Sequence, residues 1–143
     1  CNRGVSGIDG CTSTAIGAAM ATDELTLLVT GDMSAQYDMG ALAIQEVPAT
    51  FRMAVLNNGG GGIFRFIKST RDLPETDRWL AGGVRLPLRE LAAGFGFDYY
   101  EAADEASLSS VMPAFFAPSG RPAILNIITP PDASAETIKR YFA

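Results

Sequence analysis

Two mostly apolar runs, each followed by a polar turn, stand out in the hydrophobic pattern. Residues 25–30 and 51–56 have the length and composition of buried strands, and residues 34–47 between them carry apolar side chains at helical spacing. A strand, helix, strand unit places its two strands side by side and parallel, so that both end at one edge of a sheet. The pattern therefore predicts that Asp32 and Asn58, which follow the two strands, lie at that edge and contact one ligand.

The rest of the chain continues this alternation of strands and helices. A helix is expected after Gly10, with Asp9 or Thr12 as its N-cap. Residues 67–84 show no periodicity, and we expect them to close over the pocket. The pattern predicts an α/β fold with three α/β/α layers, an open and mostly parallel sheet with helices on both faces. The remaining predicted elements are strands at residues 97–101 and 122–129 and helices at 87–94, 105–116 and 134–142.

Composition narrows the class of protein. A chain of 143 residues that is 48% hydrophobic suits one domain with a substantial core. A net charge of -5 without a cluster of Lys and Arg argues against a nucleic acid or an anionic membrane as partner, and no apolar run reaches the ~20 residues of a membrane helix. We therefore expect a cytoplasmic protein. The absence of histidine removes the usual general base and argues against a hydrolase.

The polar residues at the predicted sheet edge favour a hard metal ion. Asp32 supplies a carboxylate oxygen, Asn58 an amide oxygen, and the glycine run at residues 59–62 exposes backbone groups. Few and mostly neutral oxygen ligands suit Mg²⁺, which completes its shell with water and phosphate. Ser34 and the amides that open the next helix would face an anion at the same place. A magnesium-bound diphosphate fits this set.

Plainer structural interpretations stay open at this point. A Gly-Asp pair is common in turns where the Asp caps a helix, and a glycine run can form a hinge. The glycine-rich residues 2–10 can be a plain turn that enters a helix. We favour a backbone that meets a ligand, because ordering four consecutive glycines is costly.

Three blocks in order resemble a known family. They are residues 2–10, which read Asn-Arg-Gly-Val-Ser-Gly-Ile-Asp-Gly, residues 31–38, which read Gly-Asp-Met-Ser-Ala-Gln-Tyr-Asp, and residues 57–64, which read Asn-Asn-Gly-Gly-Gly-Gly-Ile-Phe. Together they resemble the thiamine-diphosphate-dependent enzymes. The closest resemblance is to the branch that makes 2-succinyl-5-enolpyruvyl-6-hydroxy-3-cyclohexene-1-carboxylate in menaquinone biosynthesis. The resemblance covers most of residues 2–66.

This resemblance implies roles for individual residues. Asp32, Asn58 and the carbonyl of Gly60 would ligate Mg²⁺ or Mn²⁺. Ile8 would be the apolar wedge beneath a bent thiamine diphosphate. Arg3 would bind a substrate carboxylate, and Ile63 and Phe64 would form a wall that faces the substrate. The full set of implied cofactor-binding residues is Ile8, Gly31, Asp32, Met33, Ser34, Asn58 and Gly60.

The resemblance also implies a reaction and partners. The complete enzyme, a transferase, would decarboxylate 2-oxoglutarate on thiamine diphosphate and add the succinyl unit to isochorismate. The activating glutamate would lie on a separate pyrimidine-binding domain across a dimer interface. We therefore expect no catalytic residue in this chain, which would be the C-terminal domain of a longer homodimer or homotetramer and inactive in isolation. Alternatives are a domain of an acetolactate-synthase-like or 2-oxoacid decarboxylase-like enzyme, or a non-catalytic phosphate-binding domain.

Overall fold

Four parallel strands form the central sheet. The computed structural model describes residues 7–83 and 86–141. The strands lie in the spatial order β1-β2-β4-β3. Gly31 pairs with Leu56, and Leu56 pairs with Ile127, so three strands end together at one edge. This confirms the predicted parallel neighbours. The strands are β1 (Thr26–Gly31), β2 (Phe51–Asn57), β3 (Asp98–Ala102) and β4 (Ala123–Ile128).

Helices cover both faces of the sheet, as predicted. On one face, alanine, leucine and isoleucine side chains from the first three helices pack on Met53, Val55 and Ile124. On the other face, Phe115 of the fourth helix packs on Ala54 and on two residues of β4. Because each face has its own buried core, the protein has three α/β/α layers. The helices are α1 (Cys11–Met20), α2 (Asp32–Tyr37), α3 (Leu88–Phe95), α4 (Glu105–Phe116) and α5 (Pro131–Tyr141).

A buried arginine joins α4 to the sheet. Arg52 of β2 is 2% exposed. Its guanidinium donates to the carbonyl oxygens of Phe115 at 2.5 Å, Ala117 at 2.8 Å and Ala49 at 2.6 Å. Two of these carbonyls lie at the C-terminal end of α4, where unpaired carbonyls and the helix dipole favour a cation.

The continuous helix predicted over residues 34–47 is wrong. α2 begins two residues earlier, at Asp32, and ends at Tyr37, and a short 3-10 helix at Met39–Ala43 follows. The apolar spacing was real, but Gly40 is a poor helix former and the Asp38 carboxylate is bonded elsewhere. A tertiary contact thus overrides the local periodicity.

The predicted caps of α1 are also wrong. Gly10 is the N-cap residue, with φ 70°, and as a glycine it has no side chain that could cap the helix. The cap comes from Asp38, whose Oδ2 accepts from Ser13 N at 2.6 Å and from Ser13 Oγ at 2.9 Å. Thr12 is fully buried instead.

The other boundaries differ little from the prediction. α4 has the predicted bounds. α3 ends at Phe95, and the following Gly96 has a φ of 79°, the left-handed conformation that glycine favours at the end of a helix. α5 begins three residues early, because proline suits the first position of a helix. The irregular residues 67–83 contain a π-helical turn, Thr76–Leu80, and their closure over the pocket stays a prediction. Within the described residues, no helix has the length and apolar character needed to cross a membrane.

Candidate functional site

The ends of β1 and β2 meet through Asp32. This side chain is 4% exposed and follows β1 directly. Its Oδ2 accepts from the backbone N–H of Gly60 at 2.8 Å, and its Oδ1 accepts from Met33 N at 2.8 Å. The predicted juxtaposition of the two strand ends is therefore present in the structure.

Burial sets the electrostatics of this carboxylate. Removal from water raises the pKa of Asp32 above its ordinary value, although backbone N–H groups, those of Met33 and Gly60 foremost, act in the opposite direction. Each carboxylate oxygen has two acceptor sites and uses one of them for the hydrogen bond described above. A cation at the free sites would favour the charged form of Asp32.

Asn58 carries a buried oxygen that needs a partner. Among the described residues, its Oδ1 is buried and accepts no hydrogen bond. An acceptor left unsatisfied inside a protein costs roughly 1–3 kcal/mol. Nearly all buried polar groups in native proteins are paired, so this oxygen can accept from a water molecule or bind an ion or a ligand.

Both side chains line one cavity of about 530 Å³. All seven predicted cofactor-binding residues line it, as does Ile63, whereas Phe64 packs outside the lining and Arg3 lies outside the described residues. Sequence reasoning missed the apolar side chains of Val29 and Leu56, although the strand period of two could have identified their shared face. It also missed further members of the lining, Gly7, Cys11, Thr30, Gly61 and Gly62.

The glycine run packs against another stretch of backbone. Gly60 has φ 145°, and a Cβ there would lie 2.0 Å from the carbonyl oxygen of Ala81. The N–H of Gly61 donates to that same oxygen at 2.8 Å. Glycine at position 60 is therefore required by the close approach of residues 81–82, a reason that is independent of any ligand. No local pattern in residues 57–64 predicts this contact, since its partner lies about 20 residues away in the chain.

That contact orients the carbonyl of Gly60. The Gly60–Gly61 peptide is planar, so an N–H directed to Ala81 sends the Gly60 carbonyl the opposite way. This carbonyl oxygen accepts from Gly62 N at 2.9 Å and, with two lone pairs, retains one acceptor site.

Ser34 links α2 to the loop before α1. Its hydroxyl donates to the carbonyl of Ile8 at 2.8 Å. The Ser34 hydrogen is thus engaged with the chain itself, and its predicted role toward a phosphate stays a prediction. The bond holds Ile8, whose side chain is 38% exposed, beside Asp32 and Met33 in the same cavity.

Taken together, the site presents a carboxylate, an unpaired amide oxygen and a constrained carbonyl beside an apolar cavity. Hard oxygen donors of this kind suit Mg²⁺ or Mn²⁺. The apolar part of the lining suits an organic ligand.

Comparison with known proteins identifies relatives over the whole chain. The chain is 38% identical over 142 residues to 2-succinyl-5-enolpyruvyl-6-hydroxy-3-cyclohexene-1-carboxylate synthase of Christiangramia forsetii, covering 99% of this chain and 25% of the relative. It is 41% identical over 141 residues to the synthase of the same name from Porphyromonas gingivalis, covering 99% of this chain and 24% of the relative. The chain thus spans about a quarter of the length of the curated relatives that it matches. No protein-family model matches it.

A solved structure shares the fold. The thiamine diphosphate-dependent 4-hydroxybenzoylformate decarboxylase of Rhodococcus jostii RHA1 superposes with a TM-score of 0.67 at 24% identity, over 82% of this chain and 22% of that one. The fold is therefore the three-layer α/β/α fold found in that enzyme. Over 99% of its length, the chain is therefore similar to about a quarter of the 2-succinyl-5-enolpyruvyl-6-hydroxy-3-cyclohexene-1-carboxylate synthases of these two organisms.

Proposed function

We propose that this chain is the domain that binds the diphosphate and metal of thiamine diphosphate in a synthase. The complete protein would decarboxylate 2-oxoglutarate and add the succinyl unit to isochorismate, as a step of menaquinone biosynthesis. It would be a cytoplasmic homodimer or homotetramer. The pyrimidine-binding domain and its activating glutamate would come from outside this chain.

The unpaired oxygen of Asn58 carries the proposal. It lies in the cavity that Asp32 and Gly60 also line, and it is the acceptor that the described residues leave unsatisfied at this place. A divalent cation bound by Asp32, Asn58 and the Gly60 carbonyl would satisfy it and would offset the burial of the carboxylate. Phosphate oxygens would complete the shell of the ion.

Each residue of the site would have a positional task. Asp32 and Asn58 would hold the metal, and Ile8, Val29 and Leu56 would give the organic part of the cofactor an apolar surface from which water is excluded. Thiamine diphosphate, when bound, supplies the stabilisation of a carbanion. Arg3 would bind a substrate carboxylate, and Ile63 and Phe64 would belong to a wall that faces the substrate.

Calorimetric titration with thiamine diphosphate, with and without Mg²⁺, tests the proposal in the full-length protein. We expect binding that depends on Mg²⁺. Asp32→Asn should weaken Mg²⁺ binding by more than about 100-fold, because removing even a group that only supports a ligand costs 10–100-fold. The matched control Asp23→Asn, at an exposed position before β1, should bind as the unmodified protein does.

Two outcomes would contradict the proposal. Binding of thiamine diphosphate that is indifferent to Mg²⁺ would favour a non-catalytic phosphate-binding domain. Product formed from 2-oxoglutarate and isochorismate by this polypeptide in isolation would refute the requirement for a second domain.

A further inference from the structure

A network of polar side chains around the buried Asn126 leads to the turn that carries the proposed metal ligands Asn58 and Gly60. Asn126 of β4 is 6% exposed, in the middle of an otherwise apolar strand. Its Oδ1 accepts from Asn57 Nδ2 at 3.1 Å, and its Nδ2 donates to the Tyr99 hydroxyl oxygen at 3.1 Å and to Glu101 Oε2 at 3.4 Å. The predicted site residues do not account for this network, because none of these four belongs to them.

Each hydrogen bond of this network has a defined donor and acceptor. Arg89 lies 3.7 Å from Glu101 and 4.5 Å from the centre of the Tyr99 ring, and the hydrogen bond from Tyr99 lowers the pKa of Glu101. Burial, and then the bond to Glu101, raises the pKa of Tyr99 to about 12, so its hydroxyl keeps its hydrogen. An ionised carboxylate only accepts, and Tyr99 therefore donates to Glu101.

The same order of donors and acceptors continues through two side-chain amides to the turn that carries Asn58 and Gly60. Since the Tyr99 hydrogen is used, the Tyr99 oxygen accepts from Asn126 Nδ2, which leaves Asn126 Oδ1 facing Asn57 Nδ2. Asn57 Oδ1 then accepts from Gly59 N at 3.3 Å. Turning either amide by 180° would bring like groups together, so each amide has one favourable orientation.

The last bond of the network lies at the turn that carries the metal-site residues. Asn57 and Gly59 flank Asn58, and Gly60 follows directly. The carbonyl of Asn57 is also held, by Thr129 N at 2.8 Å. The start of the turn is thus anchored through its side chain to β4 and through its backbone to Thr129, the residue that follows β4.

We propose that Asn126 is a positioning residue for the metal site, acting through Asn57 to hold the turn that presents Asn58 and Gly60. This inference rests on the proposed function of that site. Asn126 touches none of the proposed ligands itself. A group that orients metal ligands from behind typically changes metal affinity by 10–100-fold when it is removed.

The test measures Mn²⁺ affinity from the electron paramagnetic resonance signal of free Mn²⁺, in the full-length protein saturated with thiamine diphosphate. Asn126→Leu, which removes the acceptor of Asn57, should weaken Mn²⁺ binding about tenfold. Tyr99→Phe combined with Glu101→Leu removes both acceptors of Asn126 Nδ2 and should weaken it by less, in the same direction. The control Tyr100→Phe, whose ring packs against Phe115 on the opposite face, should leave the affinity unchanged.

The outcomes separate this inference from the proposed function. If the unmodified protein binds no Mn²⁺ with thiamine diphosphate, the proposed function fails. If it binds Mn²⁺ and both variants bind it equally well, the positioning role is overturned, even where their thermal unfolding midpoints fall. If Asn126→Leu does not fold, the Tyr99 and Glu101 double variant decides by the same criterion, because its substitutions lie nearer the surface.

Discussion

α1 and α4 begin in opposite ways. α4 carries its own capping box, in which Asp104 Oδ1 accepts from Ser107 N at 2.7 Å and Ser107 Oγ accepts from Asp104 N at 3.1 Å. α1 has no capping residue of this kind. The N–H of Ser13 instead donates to the carboxylate of Asp38, which lies 25 residues further along the chain. The start of α4 is capped by its own residues, whereas the start of α1 depends on a contact with Asp38, the residue that follows α2.

This difference between the two helix starts matters for the candidate site, because the start of α1 forms part of the cavity wall. Ile8 and Cys11 line the candidate cofactor cavity, and the Asp38 cap and the bond from Ser34 to Ile8 both join this region to the α2 segment. The position of this wall of the cavity therefore depends on tertiary contacts. The start of α4 forms no part of the cavity lining and is capped by its own residues, although the C-terminal end of α4 does contact Arg52.

The largest effect on the free energy of unfolding is expected at the C-terminal end of α4. Arg52→Met keeps most of the apolar stem but removes the donors to the carbonyls of Phe115, Ala117 and Ala49. We expect the free energy of unfolding to fall by about 2–3 kcal/mol, since buried carbonyls lose bonds to a charged donor. Urea unfolding of both proteins measures this.

Arg121→Met is the matched control for this substitution. Arg121 is also bonded to a carbonyl, that of Gly96 at 2.9 Å, but its side chain is about half exposed. Its loss should cost less than about 1 kcal/mol. Equal costs for the two variants would show that the end of α4 does not depend on the buried guanidinium.

A smaller effect is expected at the remote cap of α1. Asp38→Ala removes the acceptor of Ser13 N and should lower the free energy of unfolding by about 1–2 kcal/mol, as loss of other helix caps does. It should also weaken cofactor binding, because the cavity wall at Ile8 and Cys11 loses its anchor. Asp23→Ala, an exposed acid before β1, serves as the control in both measurements. A variant that unfolds more easily yet binds thiamine diphosphate normally would separate the cap from the cavity.

The same contrast explains which elements the sequence could predict. α4 was predicted with its observed bounds, and β2 to within one residue, because a capping box and a mostly apolar run are local signals. The helix over residues 34–47 was wrong because Asp38 serves α1 instead of continuing α2. The caps assigned to Asp9 and Thr12 failed for the same reason.

The candidate site likewise has residues that could be predicted from the sequence and contacts that could not. Asp32 and Asn58 could be placed together from topology, since neighbouring parallel strands must end at one edge. The contact of Gly60 with Ala81 and the bond of Asn57 to Asn126 could not be, because each joins residues that share no motif and meet only in the fold. Sequence therefore predicted residues that line one cavity in the structure, and it missed those that hold them in position.

The smallest effect is expected at the local cap of α4. Asp104 is fully exposed, and bonds from the backbone N–H and then the hydroxyl of Ser107 lower its pKa below the ordinary value of 3.8. A lowered pKa in the folded state means that the charged carboxylate stabilises the fold above that ordinary value, and that this contribution is lost as the pH falls through the folded pKa. Asp104→Ala should therefore lower the thermal unfolding midpoint at neutral pH by less than Asp38→Ala does, and the difference from the unmodified protein should close in acid. Circular dichroism at neutral pH and well below pH 3.8 measures both, with Glu105→Ala, an acid of the same first turn, as the control. A difference that persists undiminished in acid would mean that the carboxylate charge does not cap the helix.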